Sequence, residues 1–535
     1  MPKESALKSG KPSCKVVSRY LKNLLLVCLA AEFPLLVYWT ANLGQIRPVV
    51  AFKPLLWIFV AAWGLYTLVA LILRNIDKSA LLVLLILVLF FTYGQVINLL
   101  EPVFPAAGSI LTVSTLIVYF LLFIGGMFLI FRMKHQPRSL LTSLLIVFGL
   151  LGVFNISRIL LFDPRFSADR STTSMAVDPV LQIGKDMPDI YLIILDSYAR
   201  EDILRDEFGY DNSVFLNELS ARGFYVPECA FSNYDKTPSS VPSFMNMNYL
   251  NQMGIADSDL DGLSAHQIDL ILNNQAGKVF STLGYQIVTT RGYGAFDDIQ
   301  NSDIYINYYH EQGIPDQLAE RNFLVLFSKT TLLRAFFEFE NSEASPAVSN
   351  DVFSSASVDT SGLGYEEASF WYHQTNLVFD TLEQLPVQPG DYFVYAHVNS
   401  PHIPYVFASD GSFRFITDYT NDKEYYVDAV IYLNSRVLEL VDTLIENSEE
   451  PPVIIIQADH SAQFFEPGIQ NHKIFAAYYL PGETDIPPYE TITPVNSLRL
   501  VLHNYFDPSV ELLPDLLYVK GSNGQYQEVQ AACGR

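Results

Sequence analysis

Cysteine is nearly absent. The chain has four in 535 residues: Cys14 and Cys28 in the amino-terminal portion, and only Cys229 and Cys533 in the polar remainder. A disulfide-rich scaffold is therefore excluded. One Cys229–Cys533 bridge is permitted in an oxidising compartment, and the sequence leaves open whether the two meet. Basic residues are also scarce, with 33 Lys and Arg against 57 Asp and Glu and a formal net charge of −24. Phosphate backbones are held by clustered Lys and Arg, so this balance argues against a nucleic-acid partner and suits a metal cation better. The long apolar runs of the first third hold a single carboxylate, Glu32, two residues before Pro34. So few charges disfavour a transporter or channel, and Glu32 reads as a neutral acid hydrogen-bonded within the membrane. No internal repeat is present, and the one low-complexity tract is the Ser-rich loop from Asn341 to Ser361.

The apolar runs extend from Leu24 to Ala41, Leu55 to Leu73, Ala80 to Leu100, Ile110 to Phe131 and Leu140 to Phe162. Each matches the length a helix needs to cross hydrocarbon, so five transmembrane helices are expected. No small-residue cleavage motif follows the first run, which reads as an anchor and not a signal peptide. Lys8, Lys11, Lys15, Arg19 and Lys22 precede the first span, Arg74 and Lys78 follow the second, and Arg132, Lys134 and Arg138 follow the fourth. The segment 101–109 has no Lys or Arg, although Arg47 and Lys53 weaken the contrast. This distribution predicts a cytoplasmic amino terminus in a multi-pass cell membrane protein, with everything after Phe162 on the outer side. The expected organisation is a tail over 1–20, a five-helix anchor over 21–163, a polar linker over 164–187 and an extracytoplasmic domain over 188–535.

From Pro188 onward, short apolar runs alternate with amphipathic stretches, the pattern of an α/β domain with a mostly parallel sheet flanked by helices. The clearest strands are 190–195, 285–290, 392–397, 453–457 and 474–480. Helical spacing covers 213–222, 268–283 and 424–446, with Gly223 and Gly284 as carboxyl-terminal caps. Open parallel sheets gather their functional groups just beyond the carboxyl ends of their strands. At those places stand Asp196, His402, and Asp459 with His460. Carboxylate oxygen and imidazole nitrogen from separate segments are the usual ligands of a catalytic zinc or manganese ion. A second ion is allowed, although no full second ligand set is assigned.

The segment from Pro188 to Arg200, PDIYLIILDSYAR, resembles the opening strand of the sulfatase-like branch of the alkaline phosphatase superfamily, which includes membrane phosphoethanolamine transferases and lipoteichoic acid synthase. Thr237-Pro-Ser-Ser-Val-Pro-Ser-Phe-Met245 is similar to the nucleophile loop of the phosphoethanolamine transferases. Gln457-Ala-Asp-His-Ser461 resembles their Asp-His-Gly metal motif, Ser400-Pro-His-Ile-Pro-Tyr405 their substrate-side histidine turn, and Asn471-His-Lys-Ile-Phe475 a further histidine before a late strand. The resemblance runs from about Pro188 to Tyr518. It implies a metal held by Asp196, Thr237, Asp459 and His460, a nucleophilic Thr237, and substrate contacts from His402 and His472. The implied activity is a membrane-anchored transferase that moves a phosphorylated head group onto an envelope lipid or glycan. The alternatives are a hydrolase of phosphate or sulfate esters on the same site and a degenerate, non-catalytic envelope protein.

Two departures qualify this pattern. Ser461 replaces the usual glycine, and Thr237-Pro-Ser-Ser-Val lacks the Cys or Ser, Pro and Arg arrangement of a formylglycine sulfatase. Structural alternatives stand beside several of these residues. Thr237 suits a helix amino-terminal cap, His397 reads as a strand residue of structural character, and Arg200, Lys236 and Arg291 read as solvated charges.

Overall fold

The computed structural model describes residues 14–163 apart from 45, 47 and 105–107, then 166, 187–314 apart from 261, 295 and 296, 317–336, 363–416, 422–521 and 524–534. The Ser-rich tract, the linker except residues 166 and 187, and the first thirteen residues of the tail lie outside the described residues. The chain divides into two compact units.

The amino-terminal part of the first unit holds five long helices among the described residues: α1 (Cys14–Ala41), α2 (Pro48–Leu73), α3 (Ile76–Leu100), α4 (Gly108–Arg132) and α5 (Arg138–Phe162). All five are long and apolar enough to cross a membrane. At 1.5 Å per residue, a helix of this length reaches roughly 37 Å, more than the ~30 Å of a hydrocarbon core. Leu26, Val27, Ala30 and Ala31 of α1 pack against Ala62 and Tyr66 of α2, Ala80, Val83 and Leu84 of α3, and Leu141 of α5. The alanines permit close helix approach, which is what holds helices together where lipid is as apolar as leucine. Thr40 reaches Asn155 Oδ1 at 2.9 Å, joining α1 to α5. Glu32 departs from expectation: it is half-buried and has no hydrogen-bond partner among the described residues. α1 also begins ten residues before its apolar run, because Lys15, Arg19 and Lys22 carry the helix past the hydrocarbon.

A later piece of sequence belongs to this unit and not to the domain expected over 188–535. The helix Gln317–Lys329 and the turns up to Phe336 group with the five helices. Phe323 and Phe327 lie edge-on to Tyr38, at 5.8 and 5.7 Å between ring centres. The Leu332 amide donates to the Phe90 carbonyl at 2.7 Å. Any Cβ on Gly94 would stand 2.3 Å from the Lys329 carbonyl oxygen, so only glycine admits this approach. Arg334 pairs with Glu101. The expected boundary fails here because aromatic packing, not chain order, decides where a segment sits.

The second unit is built on a six-stranded sheet of β1 (Ile190–Leu195), β2 (Gln286–Thr290), β3 (Ile304–Ile306), β4 (Tyr392–Val398), β5 (Val453–Gln457) and β6 (Ala476–Tyr479). Their order is β3-β2-β4-β1-β5-β6, parallel throughout except for β6 against β5. Strands β1, β4 and β5 are buried at every position. That explains why they read as unbroken apolar runs and not as alternations.

The helices include α6 (Glu201–Phe208), α7 (Ser213–Ala221), α8 (Thr237–Met245), α9 (Ala265–Leu272) and α10 (Gln275–Thr282). The single helix expected over 268–283 is two. Asn274 accepts from the Gly277 amide at 2.7 Å and caps α10, and α9 ends two residues before it at Leu272. Gly223 and Gly284 have φ of +91° and +98°, the left-handed conformation that stops a helix.

The hairpin β7 (Leu516–Lys520) and β8 (Tyr526–Gln530) closes the chain. Phe231, Leu517 and Ala531 pack together beneath it. Cys229 and Cys533 are joined by a disulfide with Cα atoms 5.3 Å apart, which answers the question the sequence left open. The bridge closes a loop of 304 residues, so it removes considerable freedom from the unfolded chain. Cys533→Ser is expected to cost about 2–4 kcal/mol of second-unit stability, read as a lowered melting temperature. Thiol labelling of denatured, unreduced protein is expected to spare Cys229 and Cys533; labelling of both would show the bridge absent.

Candidate active site

Three adjacent strands end at one place. Asp196 directly follows β1, and its amide donates to the Val398 carbonyl of β4 at 3.0 Å. Asp459 and His460 follow β5, with the Ala458 amide on the Phe475 carbonyl at 3.0 Å. The fourth contributor comes from outside the sheet: Thr237 is the first residue of α8. The capping position belongs to Lys236, and Thr237 makes no capping bond, so its hydroxyl is available for other work. α8 is fixed by its own hydroxyls, Ser239 donating to the Leu260 carbonyl at 2.6 Å and Ser243 to the Asn248 carbonyl at 2.7 Å.

The four predicted ligands meet. Ligand atoms of Asp196, Asp459 and His460 all lie within 4.8 Å of one another, and all three residues are buried. His460 Nε2 is 3.5 Å from Asp196 Oδ1, 3.5 Å from Asp459 Oδ2 and 3.1 Å from Thr237 Oγ1. Ser197, at φ +65°, binds the group together. Its amide donates to Asp459 Oδ1 at 3.3 Å, and its hydroxyl donates to Asp196 Oδ1 at 3.2 Å. A non-glycine residue in this conformation is strained. Tyr426 holds the turn in place, donating its hydroxyl to the Ser197 carbonyl at 2.8 Å and accepting from the Ala199 amide at 2.9 Å.

The imidazoles share a design. His460 Nδ1 stands 2.8 Å from the Ser461 carbonyl, His402 Nδ1 2.7 Å from the Ile403 carbonyl, and His472 Nδ1 3.0 Å from the Ser232 carbonyl. A carbonyl only accepts, so each Nδ1 carries the proton, and in a neutral ring Nε2 keeps the lone pair. For His460 that lone pair faces the carboxylates and the threonine. The buried Nε2 of His472 has no hydrogen-bond partner among the described residues. The His402 ring centre lies 6.4 Å from that of His460 and 6.1 Å from that of Tyr293.

His397 corrects the sequence reading. It lies in β4 as expected, yet its Nε2 is 3.5 Å from Asp196 Oδ2 and its Nδ1 is 3.5 Å from Asp297 Oδ2, in a fully buried line. Burial opposes a charge on His397, but the Asp196 and Asp297 carboxylates overcome it and raise the imidazole to about 9. Burial also works against an ionised Asp196; His402, His397 and His460 outweigh it and hold that carboxyl below the ordinary range. Asp297 is pushed up to about 6 by burial, with His397 and the Gly294 and Tyr293 amides pulling the other way. Burial pushes His472 down.

Neither His397 nor Asp297 stood out from the sequence: a strand buried on both faces hides which side a histidine takes, and Asp297 sits in a loop. Arg200 and Arg291 are likewise not solvated. Arg200 is buried and donates to Asp202 at 2.8 Å. Arg291 is buried 3.5 Å from Asp298.

Two carboxylates and an imidazole lone pair crowd together, with the Ser197 amide and the hydroxyls of Ser197 and Thr237 as close donors. Asp459 Oδ2 is buried without a hydrogen-bond partner among the described residues. Such a set repels itself unless a cation sits within it, and its oxygen and nitrogen donors fit a divalent metal.

No protein-family model matches the chain, and no curated protein does. Similar solved structures include the C-terminal periplasmic domain of EptC from Escherichia coli in complex with zinc, at 10% identity, covering 65% of this chain and 94% of that one, with a TM-score of 0.39. The lipoteichoic acid synthase LtaP from Listeria monocytogenes is similar at 12% identity, with 59% and 71% coverage and a TM-score of 0.34. A protein in the alkaline phosphatase superfamily from Vibrio parahaemolyticus is similar at 14% identity, with 62% and 71% coverage and a TM-score of 0.34. At these scores the likeness carries no weight of its own, and the reading of the site rests on its residues.

Removing one ligand is expected to lower metal affinity at least tenfold. Purified full-length protein equilibrated with zinc or manganese is expected to retain metal by elemental mass spectrometry, Asp459→Asn and Asp196→Asn to retain far less, and Asp202→Asn to match the parent. Equal retention by all four proteins would remove the site.

Proposed function

We propose that this chain is a membrane-anchored, metal-dependent phosphotransferase that moves a phosphorylated head group onto an envelope lipid or glycan, with Thr237 as nucleophile. The observation that carries the reading is the Thr237 hydroxyl, buried at a helix amino terminus 3.1 Å from His460 Nε2 and beside two carboxylates. A threonine hydroxyl is a weak nucleophile at neutral pH and requires activation. Asp196, Thr237, Asp459 and His460 would hold the divalent ion, zinc or manganese on the donor set, which supplies Lewis-acid activation and charge neutralisation when bound.

The protein's own groups account for the remainder. Without the ion, His460 Nε2 accepts from the Thr237 hydroxyl at 3.1 Å and keeps its oxygen beside the carboxylates. The amino terminus of α8 places its positive dipole end at this oxygen and favours negative charge there. In the first half-reaction the Thr237 oxygen bonds to phosphorus as the bond to the donor's leaving oxygen breaks. The neutral Nε2 of His402 or His472 takes the proton that Thr237 loses and hands it to that leaving oxygen. In the second, an acceptor hydroxyl attacks phosphorus, and its proton passes through the same imidazole to the threonine oxygen as that oxygen departs. Both histidines hold Nδ1 on a backbone carbonyl, which leaves Nε2 for this exchange.

In this reading the second unit faces outward from the cell membrane and the amino terminus is cytoplasmic, so donor and acceptor both reach the site from the bilayer or the envelope. The domain limits of 21–163 for the anchor and 188–535 for the outer domain go with it, apart from 317–336.

Incubation of the full chain with a phospholipid labelled in its head group is expected to leave a phosphorylated adduct on Thr237, seen by peptide mass spectrometry, and to pass label to an acceptor. Thr237→Ala is expected to abolish both, and saturating metal is expected to restore neither. His402→Gln is expected to slow turnover by about 10²–10⁴, the range for a lost proton donor. Label appearing only in water would assign a hydrolase, and turnover undiminished in Thr237→Ala would exclude the threonine mechanism.

A further inference from the structure

At the end of the bundle where α1, α3 and α5 begin, the basic residues do more than mark a membrane side. They converge. A cavity of about 470 Å³ opens there, lined by Lys15, Arg19 and Lys22 of α1, Asp77 of α3, and Arg138 and Thr142 of α5. Asp77 is the organiser: buried at 1% exposure, it accepts from Asn23 at 2.9 Å and lies 3.5 Å from both Arg19 Nη1 and Arg138 Nε. One carboxylate thus draws two guanidiniums from different helices toward one point. Each keeps further N–H donors for another anion. Lys15 and Lys22 have no ion pair among the described residues. Four cations against one carboxylate leave the cavity strongly positive.

A second groove, of about 410 Å³, shares Ser18 and Lys22 with the first and is otherwise lined by Val17, Leu21 and Leu25. The two together are amphipathic: a cationic chamber beside an apolar channel on the outer flank of α1, where Leu21 and Leu25 are more than half exposed.

We propose that this chamber binds the phosphate head group of an anionic phospholipid from the adjoining leaflet, with an acyl chain along the Leu21–Leu25 groove. Charge complementarity selects an anion, and basic recesses between transmembrane helices are suited to acidic head groups. The contiguous apolar groove selects a lipid over free phosphate, which would leave that surface bare. The site is independent of the phosphotransfer reading and stands if that reading fails.

Native mass spectrometry of the full chain in neutral detergent, titrated with dioleoyl phosphatidylglycerol or dioleoyl phosphatidylcholine, tests the inference. At least tenfold preference for phosphatidylglycerol is expected. The double variant Lys15→Gln, Lys22→Gln touches neither Asp77 nor its partners, and about fivefold weaker binding is expected for each charge removed. Equal retention of the two lipids, or no change in the lysine variant, would overturn the proposal. So would inorganic phosphate displacing phosphatidylglycerol as readily as the lipid displaces itself, because the site would then take free anions.

Discussion

The candidate site depends on one electrostatic constraint: Asp196 and Asp459 are held in a buried space with an imidazole lone pair between them. Ionised carboxylates removed from water cost several kcal/mol each unless paired. The fold meets that cost partly with its own cations and partly with hydrogen bonds from the Ser197 amide and hydroxyl. What it leaves exposed to the site, chiefly Asp459 Oδ2 without a hydrogen-bond partner among the described residues, is what a metal ion would complete. The strained backbone of Ser197 is part of the same arrangement. It lets one residue donate to both acids, and Tyr426 clamps the turn from a helix on the sheet's flank.

Sheet order explains why these groups meet at all. With β1 between β4 and β5, the residues beyond those three strands are neighbours, although Asp196 after β1 lies more than two hundred positions from those after the other two. Parallel direction puts all three carboxyl ends on one edge. The threonine reaches the same edge by another route, on a short helix whose position is fixed by buried hydroxyls.

Much of this was legible in the sequence, for identifiable reasons. Strands buried on both faces are continuous apolar runs, so β1, β4 and β5 are visible within a residue or two, and the acids after them stand out because charge follows apolarity abruptly. The five spans are visible on the same principle. What stayed hidden depends on tertiary position. The sequence of α9 and α10 carries helical spacing across their junction, and only the cap at Asn274 divides them. Residues 317–336 belong with the membrane helices through ring packing on Tyr38 and through the space left by Gly94, neither of which is a local signal. His397 was invisible as a site residue because complete burial of β4 erases the alternation that would have shown which way it points.

That histidine bears on how the site keeps its charge. Asp196 is buried almost completely, and an isolated carboxyl in that position would take up a proton and lose its value as a ligand. His397 stands behind it as a cation, and Asp297 stands behind His397, accepting from the Tyr293 and Gly294 amides at 2.8 Å each. The line Asp297, His397, Asp196 therefore alternates in sign from the loop after β2 to the edge of the site. The charge presented by Asp196 is set by a chain of buried groups on three strands' worth of structure and not by solvent. Removing the middle member would leave two carboxyls facing each other in a dry interior, a loss of the kind that costs about 3–5 kcal/mol when one partner of a buried pair is deleted. The placement of a histidine inside a strand, where apolar packing would serve stability at least as well, follows from that electrostatic need.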